Sequence, residues 1–328
     1  MVFRELSGGT TLFKANADAI RDNSNKNVLY VDGTNGAATN SGLSWKSPLN
    51  TIQAAVTAAA ANATVYVMPK EITAGSTDPS AYAETIIIPV TKPGLKLIGV
   101  DRGRTQGGVP EIKKGSGSTA LITVRAPGCY IANLGINGGG STGGGILLDD
   151  DGSTKTAFGT TITNCHFKNC KGSSATNAAT GGAIMWSTNG SAWQVYIKGN
   201  RFYKNVGDIV LLGTSVSVPQ DVVIEDNVFG GPAASVDCNL YLAGGSGMNG
   251  VIIRNNSFTC FPAIGSGTNA TTIVATGCIG TLEGNTFACS SKTFGAAGNV
   301  LVPTTVLISR NYQEVAAGAG ATGEIGRT

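Results

Sequence analysis

The sequence predicts an all-β chain coiled as a single-stranded parallel β-helix, and three observations carry that prediction. A short phrase recurs: an aliphatic residue, Asn three positions on, then an aromatic two further. Its aromatic slots are spaced by 35, 27, 29 and 29 residues, the spacing of a stacked array. The residues around the phrase follow a period of two, with no helical period between them.

The phrase reads Ile197-Lys198-Gly199-Asn200-Arg201-Phe202, Ile224-Glu225-Asp226-Asn227-Val228-Phe229, Ile253-Arg254-Asn255-Asn256-Ser257-Phe258 and Leu282-Glu283-Gly284-Asn285-Thr286-Phe287. Upstream, Ile162-Thr163-Asn164-Cys165-His166-Phe167 keeps the frame with Cys in the Asn slot, and Ile308-Ser309-Arg310-Asn311 keeps its first half. The phrase itself reads as a strand. A second apolar run precedes each copy: Ile146-Leu147-Leu148, Ile184-Met185-Trp186, Ile209-Val210-Leu211, Leu240-Tyr241-Leu242 and Ile273-Val274-Ala275. Gly-, Ser- and Asn-rich stretches between the runs read as turns. Each strand is therefore expected to pair with its counterpart one repeat later, at roughly 4.8 Å.

Stacking assigns the repeated slots. Asn200, Asn227, Asn256 and Asn285 are expected to superpose as a structural ladder, each amide bonding to the next and to a turn, where Asn tolerates left-handed backbone angles. The Phe slots are expected to form a column of rings inside the coil. The exposed slot reads Lys198, Glu225, Arg254, Glu283, alternating in sign, so adjacent rungs attract weakly.

The front of the chain has a different texture: Leu29-Tyr30-Val31-Asp32-Gly33, Ser41-Gly42-Leu43-Ser44-Trp45, Ser47-Pro48, Thr51-Ile52-Gln53-Ala54-Ala55, Val65-Tyr66-Val67-Met68-Pro69, Tyr82-Ala83-Glu84 and Leu97-Ile98-Gly99. Ile52, Ala55, Val56 and Ala59 make a narrow apolar stripe after a helix entry, so a short N-terminal helix is expected to cap the first rung. In these motifs the sequence resembles the pectate-lyase-like superfamily of right-handed parallel β-helices, which includes pectin-esterase-like and phage tailspike-like members. The resemblance implies a right-handed coil and leaves activity open, because that superfamily holds lyases, hydrolases, esterases and inert virion proteins. The expected division is an N-terminal arm (1–27), a β-helix (28–312) and a Gly/Ala-rich tail (313–328).

Composition sets bounds. The 328 residues are 41% hydrophobic and only 13% charged, with 47 glycines, as in a turn-rich solenoid. A formal charge of +3 without basic runs points away from nucleic acid, and no apolar stretch is long enough to span a membrane as a helix. The start, Met1-Val2-Phe3-Arg4-Glu5-Leu6, lacks the apolar core of a secretory signal, so synthesis in the cytoplasm of a host is expected. Seven cysteines, an odd number with no Cys-x-x-Cys, read as small buried hydrophobes and not as a disulfide framework or metal site.

No catalytic set emerges. His166 is the single histidine and reads as an outward strand residue, so neither a His-ligated metal nor Ser-His catalysis is expected, and no cofactor is called for. The carboxylates Asp149, Asp150, Asp208 and Asp237, with Trp186 as a stacking surface, are the candidates for contact with a carbohydrate. Phe3, Leu6, Leu12 and Phe13 are the apolar residues of the arm, more than so short a segment can bury alone, and are expected to attach to another surface. The sequence thus leads to a non-enzymatic bacteriophage virion protein, a capsid decoration protein or short tailspike. It is expected as a homotrimer, bound to other virion proteins such as the major capsid or tail proteins, with host surface polysaccharide as a further partner. The alternatives are a polysaccharide-degrading β-helix enzyme and a glycan-binding adhesin.

Overall fold

The computed structural model describes residues 26–72, 80–100, 109–152, 157–189, 192–213, 218–231, 238–243, 247–259, 272–288, 300–314 and 323–324. The arm residues Phe3, Leu6, Leu12 and Phe13, and Asp237, lie outside them.

Three parallel sheets run the length of the coil. The first joins Val28–Asp32, Thr64–Met68, Lys96–Gly99, Tyr130–Ala132, Thr161–Thr163, Tyr196–Lys198, Val223–Glu225, Asn249–Arg254, Ile279–Glu283 and Val306–Ser309. The second runs from Glu111–Lys113 through His166–Lys168 and Arg201–Tyr203 to Tyr312–Glu314, and the third from Ile86–Ile88 through Ile184–Trp186 to Val300–Leu301. Among the described residues only one pair is antiparallel, Gly323–Glu324 against Tyr312–Glu314. The chain is an all-β, right-handed parallel β-helix.

The recurring phrase is two strands and a corner. Thr161–Thr163 belongs to the first sheet and His166–Lys168 to the second, and the chain bends between them. The residue that bends is the one before the ladder slot. Asn133, Asn164, Gly199, Asp226, Asn255, Gly284 and Arg310 all have φ between 51° and 66°. Six of the seven are Asn, Asp or Gly, the types that enter the left-handed region most readily. The ladder asparagines stay outside that region. The bend shifts the inward alternation by one residue, so Ile224, Asn227 and Phe229 all point into the coil.

Behind each corner the asparagines stack. Asn200, Asn227, Asn256, Asn285 and Asn311 are buried. The backbone N–H and side-chain amide of Asn227 both donate to Oδ1 of Asn256, at 3.0 Å each, and the amide also donates to the Ile197 carbonyl at 3.0 Å. The same triad of bonds recurs at Asn200, Asn256 and Asn285. Cys165 begins the column, its N–H donating to Asn200 Oδ1 at 3.0 Å. Beside it Phe167, Phe202, Phe229, Phe258 and Phe287 stack with centroids 4.6–5.0 Å apart and planes within 9°.

The N-terminal motifs lock one another. Helix Ile52–Ala58 starts at Thr51, whose hydroxyl accepts from Ala54 N–H, and Ile52, Ala55, Val56 and Ala59 are buried. The Glu84 carboxylate takes the next two N–H groups, of Ile52 at 2.9 Å and Gln53 at 2.8 Å, placing negative charge at the helix start. The Tyr82 hydroxyl accepts from Gly33 N–H at 2.9 Å and donates to the Met68 carbonyl at 2.6 Å. Glu84 thus fixes the helix against the coil, and Tyr82 ties the Val31-Asp32-Gly33 turn to the next rung.

Asn256→Ala removes the acceptor of Asn227 and the donor to Ile224 and Asn285 in one step. We expect a loss of about 1–3 kcal/mol in denaturant unfolding, with the m-value unchanged. Unaltered stability would mean that the ladder contributes nothing beyond the strand pairing.

Candidate functional site

Each sheet turns its outward positions towards a possible ligand. On the third sheet the outward positions in register are Ile87, Thr123, Leu147, Met185, Val210, Tyr241, Val274 and Leu301. Met185 and Val210 are buried with Ala120, and Leu147, Leu212 and Tyr241 pack against them. A 3-10 turn at Ala178–Thr180 lies against strand Ile209–Leu211. The middle of this column is a small second core, its first residue Ile87 is exposed, and its one ionisable group is the Tyr241 phenol.

The carbohydrate candidates fall around this sheet but do not converge. Asp149 follows strand Ile146–Leu148 and pairs with Arg125 on the preceding rung, Nε to Oδ2 2.9 Å. Asp150 is nearly buried; its Oδ1 accepts from Gly152 N–H at 2.7 Å and its Oδ2 from the Asn189 amide at 2.5 Å. Both carboxylates hold neighbouring segments in place.

Trp186 and Asp208 correct the sequence reading. Trp186 is fully buried and donates its indole N–H to the Ala192 carbonyl at 3.0 Å, so it offers no ring face to a sugar. The alternation that turns Ile184 inward turns Trp186 inward too. The exposed indoles are Trp45 and Trp193, and Trp193 donates to the Val218 carbonyl. Asp208 is 3% exposed and accepts the Asn205 amide at 2.9 Å and the Asn239 amide at 2.7 Å. It is an interior group, not a surface ligand. Burial pushes its pKa up to about 7, against the smaller opposing effect of the two amides. Cys170 and Lys114 lie close enough to interact with this corner electrostatically; burial raises the Cys170 thiol to about 12 and lowers the Lys114 ammonium.

The densest charge cluster sits on the first sheet, in the column Lys198, Glu225, Arg254, Glu283. Glu225 is nearly buried and accepts from Lys198 Nζ at 2.7 Å, Arg254 Nε at 2.6 Å and the Tyr196 hydroxyl. Burial would raise its pKa, but these three donors together outweigh it and hold Glu225 at about 2. The alternating signs pair along the axis as the sequence implied, and the Glu225 carboxylate is saturated by its own neighbours. Among the described residues no group of three or more His, Cys, Asp or Glu side chains could hold a metal ion.

No family model matches the chain, and no curated protein matches it in sequence. Solved structures do. The ORF18 protein of Geobacillus virus E2 aligns over 93% of this chain and 64% of its own, at 12% identity and a TM-score of 0.49. The GH136 lacto-N-biosidase of Eubacterium ramulus aligns over 94% and 67%, at 9% identity and 0.42. The A-module of the Azotobacter vinelandii mannuronan C-5 epimerase AlgE6 aligns over 80% and 90%, at 15% identity and 0.35. The chain thus spans less than two thirds of the phage protein. Its three-sheet coil is the right-handed parallel β-helix that the sequence predicts.

Asp208 makes a signed prediction. Its folded pKa lies above the unfolded value of about 3.9, so its favourable contribution is complete below that value and is lost as pH rises towards 7. Asp208→Asn keeps the size of the side chain, and Asn239 can turn its amide to meet it. We expect the variant to gain on the wild type between pH 4 and pH 7, and to melt at least about 2 °C higher at pH 8. A difference in melting temperature independent of pH would show that Asp208 is not buried in its ionised form.

Proposed function

We propose that this chain is a non-enzymatic structural protein of a bacteriophage virion, assembled as a homotrimer and attached through residues 1–27 to capsid or tail proteins. One observation carries the non-enzymatic part: the described candidate carboxylates are engaged by Arg125, Gly152, Asn189, Asn205 and Asn239, beside a third sheet whose middle outward residues are packed as apolar core. A carboxylate acting on a glycosidic bond must meet substrate, and these meet protein. The virion part is supported by the low charge, the turn-rich composition and the tailspike-like resemblance of the front.

The test is immunolabelling of purified virions in negative stain, with the chain incubated in parallel with host capsular polysaccharide, lipopolysaccharide and pectins, with and without calcium. We expect labelled particles, no new reducing ends and no unsaturated uronates. A chain lacking residues 1–27 is expected to keep its melting temperature and lose incorporation. Absence of label on any particle overturns the virion reading. Cleavage abolished by Asp149→Asn or Asp150→Asn establishes the depolymerase reading instead.

A further inference from the structure

The second sheet differs from the other two in its outward charge. Its rungs Glu111–Lys113, Gly135–Asn137, His166–Lys168 and Arg201–Tyr203 are in register, so two columns face out: Glu111, Gly135, His166, Arg201 and Lys113, Asn137, Lys168, Tyr203. Lys113, Arg201 and the following Lys204 are exposed, and Tyr203 is 48% exposed with the Lys204 ammonium 5.2 Å from its ring centroid. Glu111 is the one acid in the two columns, and it is already held by Lys168 at 2.6 Å and the Asn137 amide at 2.8 Å. Four cations less one carboxylate leave +3 on this face, equal to the formal net charge of the whole chain. On the first sheet, Lys198, Arg254 and Arg310 are matched by Glu225, Asp226 and Glu283. The excess is local.

We propose that this face binds an acidic polysaccharide, laid along the coil axis with its carboxylates on Lys113, Arg201 and Lys204 and a sugar ring on Tyr203. The four rungs span roughly 14 Å, with positive charge on the first, third and fourth, a length suited to a few uronic acid residues. A single-stranded nucleic acid would call for successive aromatic platforms, one for each base, and the two columns present only the Tyr203 phenol and the His166 imidazole, in different columns and on different rungs. The site lies on a different sheet from the carboxylate candidates, and it does not depend on the virion reading.

The experiment titrates the purified full-length chain with an oligomer bearing one uronate per sugar, with a neutral dextran oligomer and a single-stranded DNA of similar length as comparisons. We expect the uronate alone to bind well, with affinity falling about tenfold or more between about 20 mM and 300 mM salt. Arg201→Ser with Lys204→Ser is expected to weaken binding by about tenfold or more at unchanged melting temperature. Lys26→Ser with Lys46→Ser, which removes the same charge from exposed positions elsewhere, is expected to leave it within about twofold. If the first pair fails to fold, Lys113→Gln alone is expected to cost about threefold or more. No uronate binding, equal losses in the two double variants, or DNA bound as tightly as uronate would each overturn the proposal.

Discussion

A left-handed corner residue followed by a buried carboxamide sets the geometry of this coil. The corner breaks the strand after three residues and sends the chain into the second sheet. That bend also exposes the backbone N–H of the next residue to the interior, where water cannot satisfy it. The stacked asparagine supplies the acceptor, and its own amide takes the carbonyl of the rung before. Each side chain thereby satisfies groups on both neighbours, which fixes the axial register in steps of one rung. The Phe column inherits that register: rings two residues past the ladder stack within 9° because the asparagines beneath them are aligned.

Register converts a one-dimensional repeat into three outward surfaces of different chemistry. The first sheet neutralises itself along the axis through Glu225 and its cations. The third sheet packs its middle outward residues into a second core around Met185 and Val210. The second is left with an excess of positive charge. Functional difference in such a coil therefore resides in which side chain stands at an outward slot, since the inward slots are committed to asparagine, phenylalanine and aliphatic residues.

Much of this was legible in the sequence, for physical reasons that also mark where reading stopped. From Ile197 onward, aligned Asn and Phe slots gave the ladder, the ring column and the alternating charge. The corner was hidden because its residue varies, from Gly199 to Asp226 to Arg310, and shares a backbone angle instead of an identity. Upstream, Leu134 and Ile136 fill the ladder and ring slots, so that rung shows no repeat at all. At the site, Asp208 looked like a strand-end carboxylate because its two amide partners lie 3 and 31 residues away. The cationic face was invisible for the same reason: Lys113, Lys168 and Arg201 become neighbours only after the rungs are placed in register.

Hydrogen exchange followed by mass spectrometry tests the central role of the corner most directly. If the ladder holds the register, the corner amides of Asn200, Asn227 and Asn256 exchange as slowly as the strand amides of Ile197, Ile224 and Ile253, and far more slowly than loop amides such as those of Ser174 and Thr176. Corner amides that exchange at loop rates while the strands stay protected would show that strand pairing alone maintains the coil.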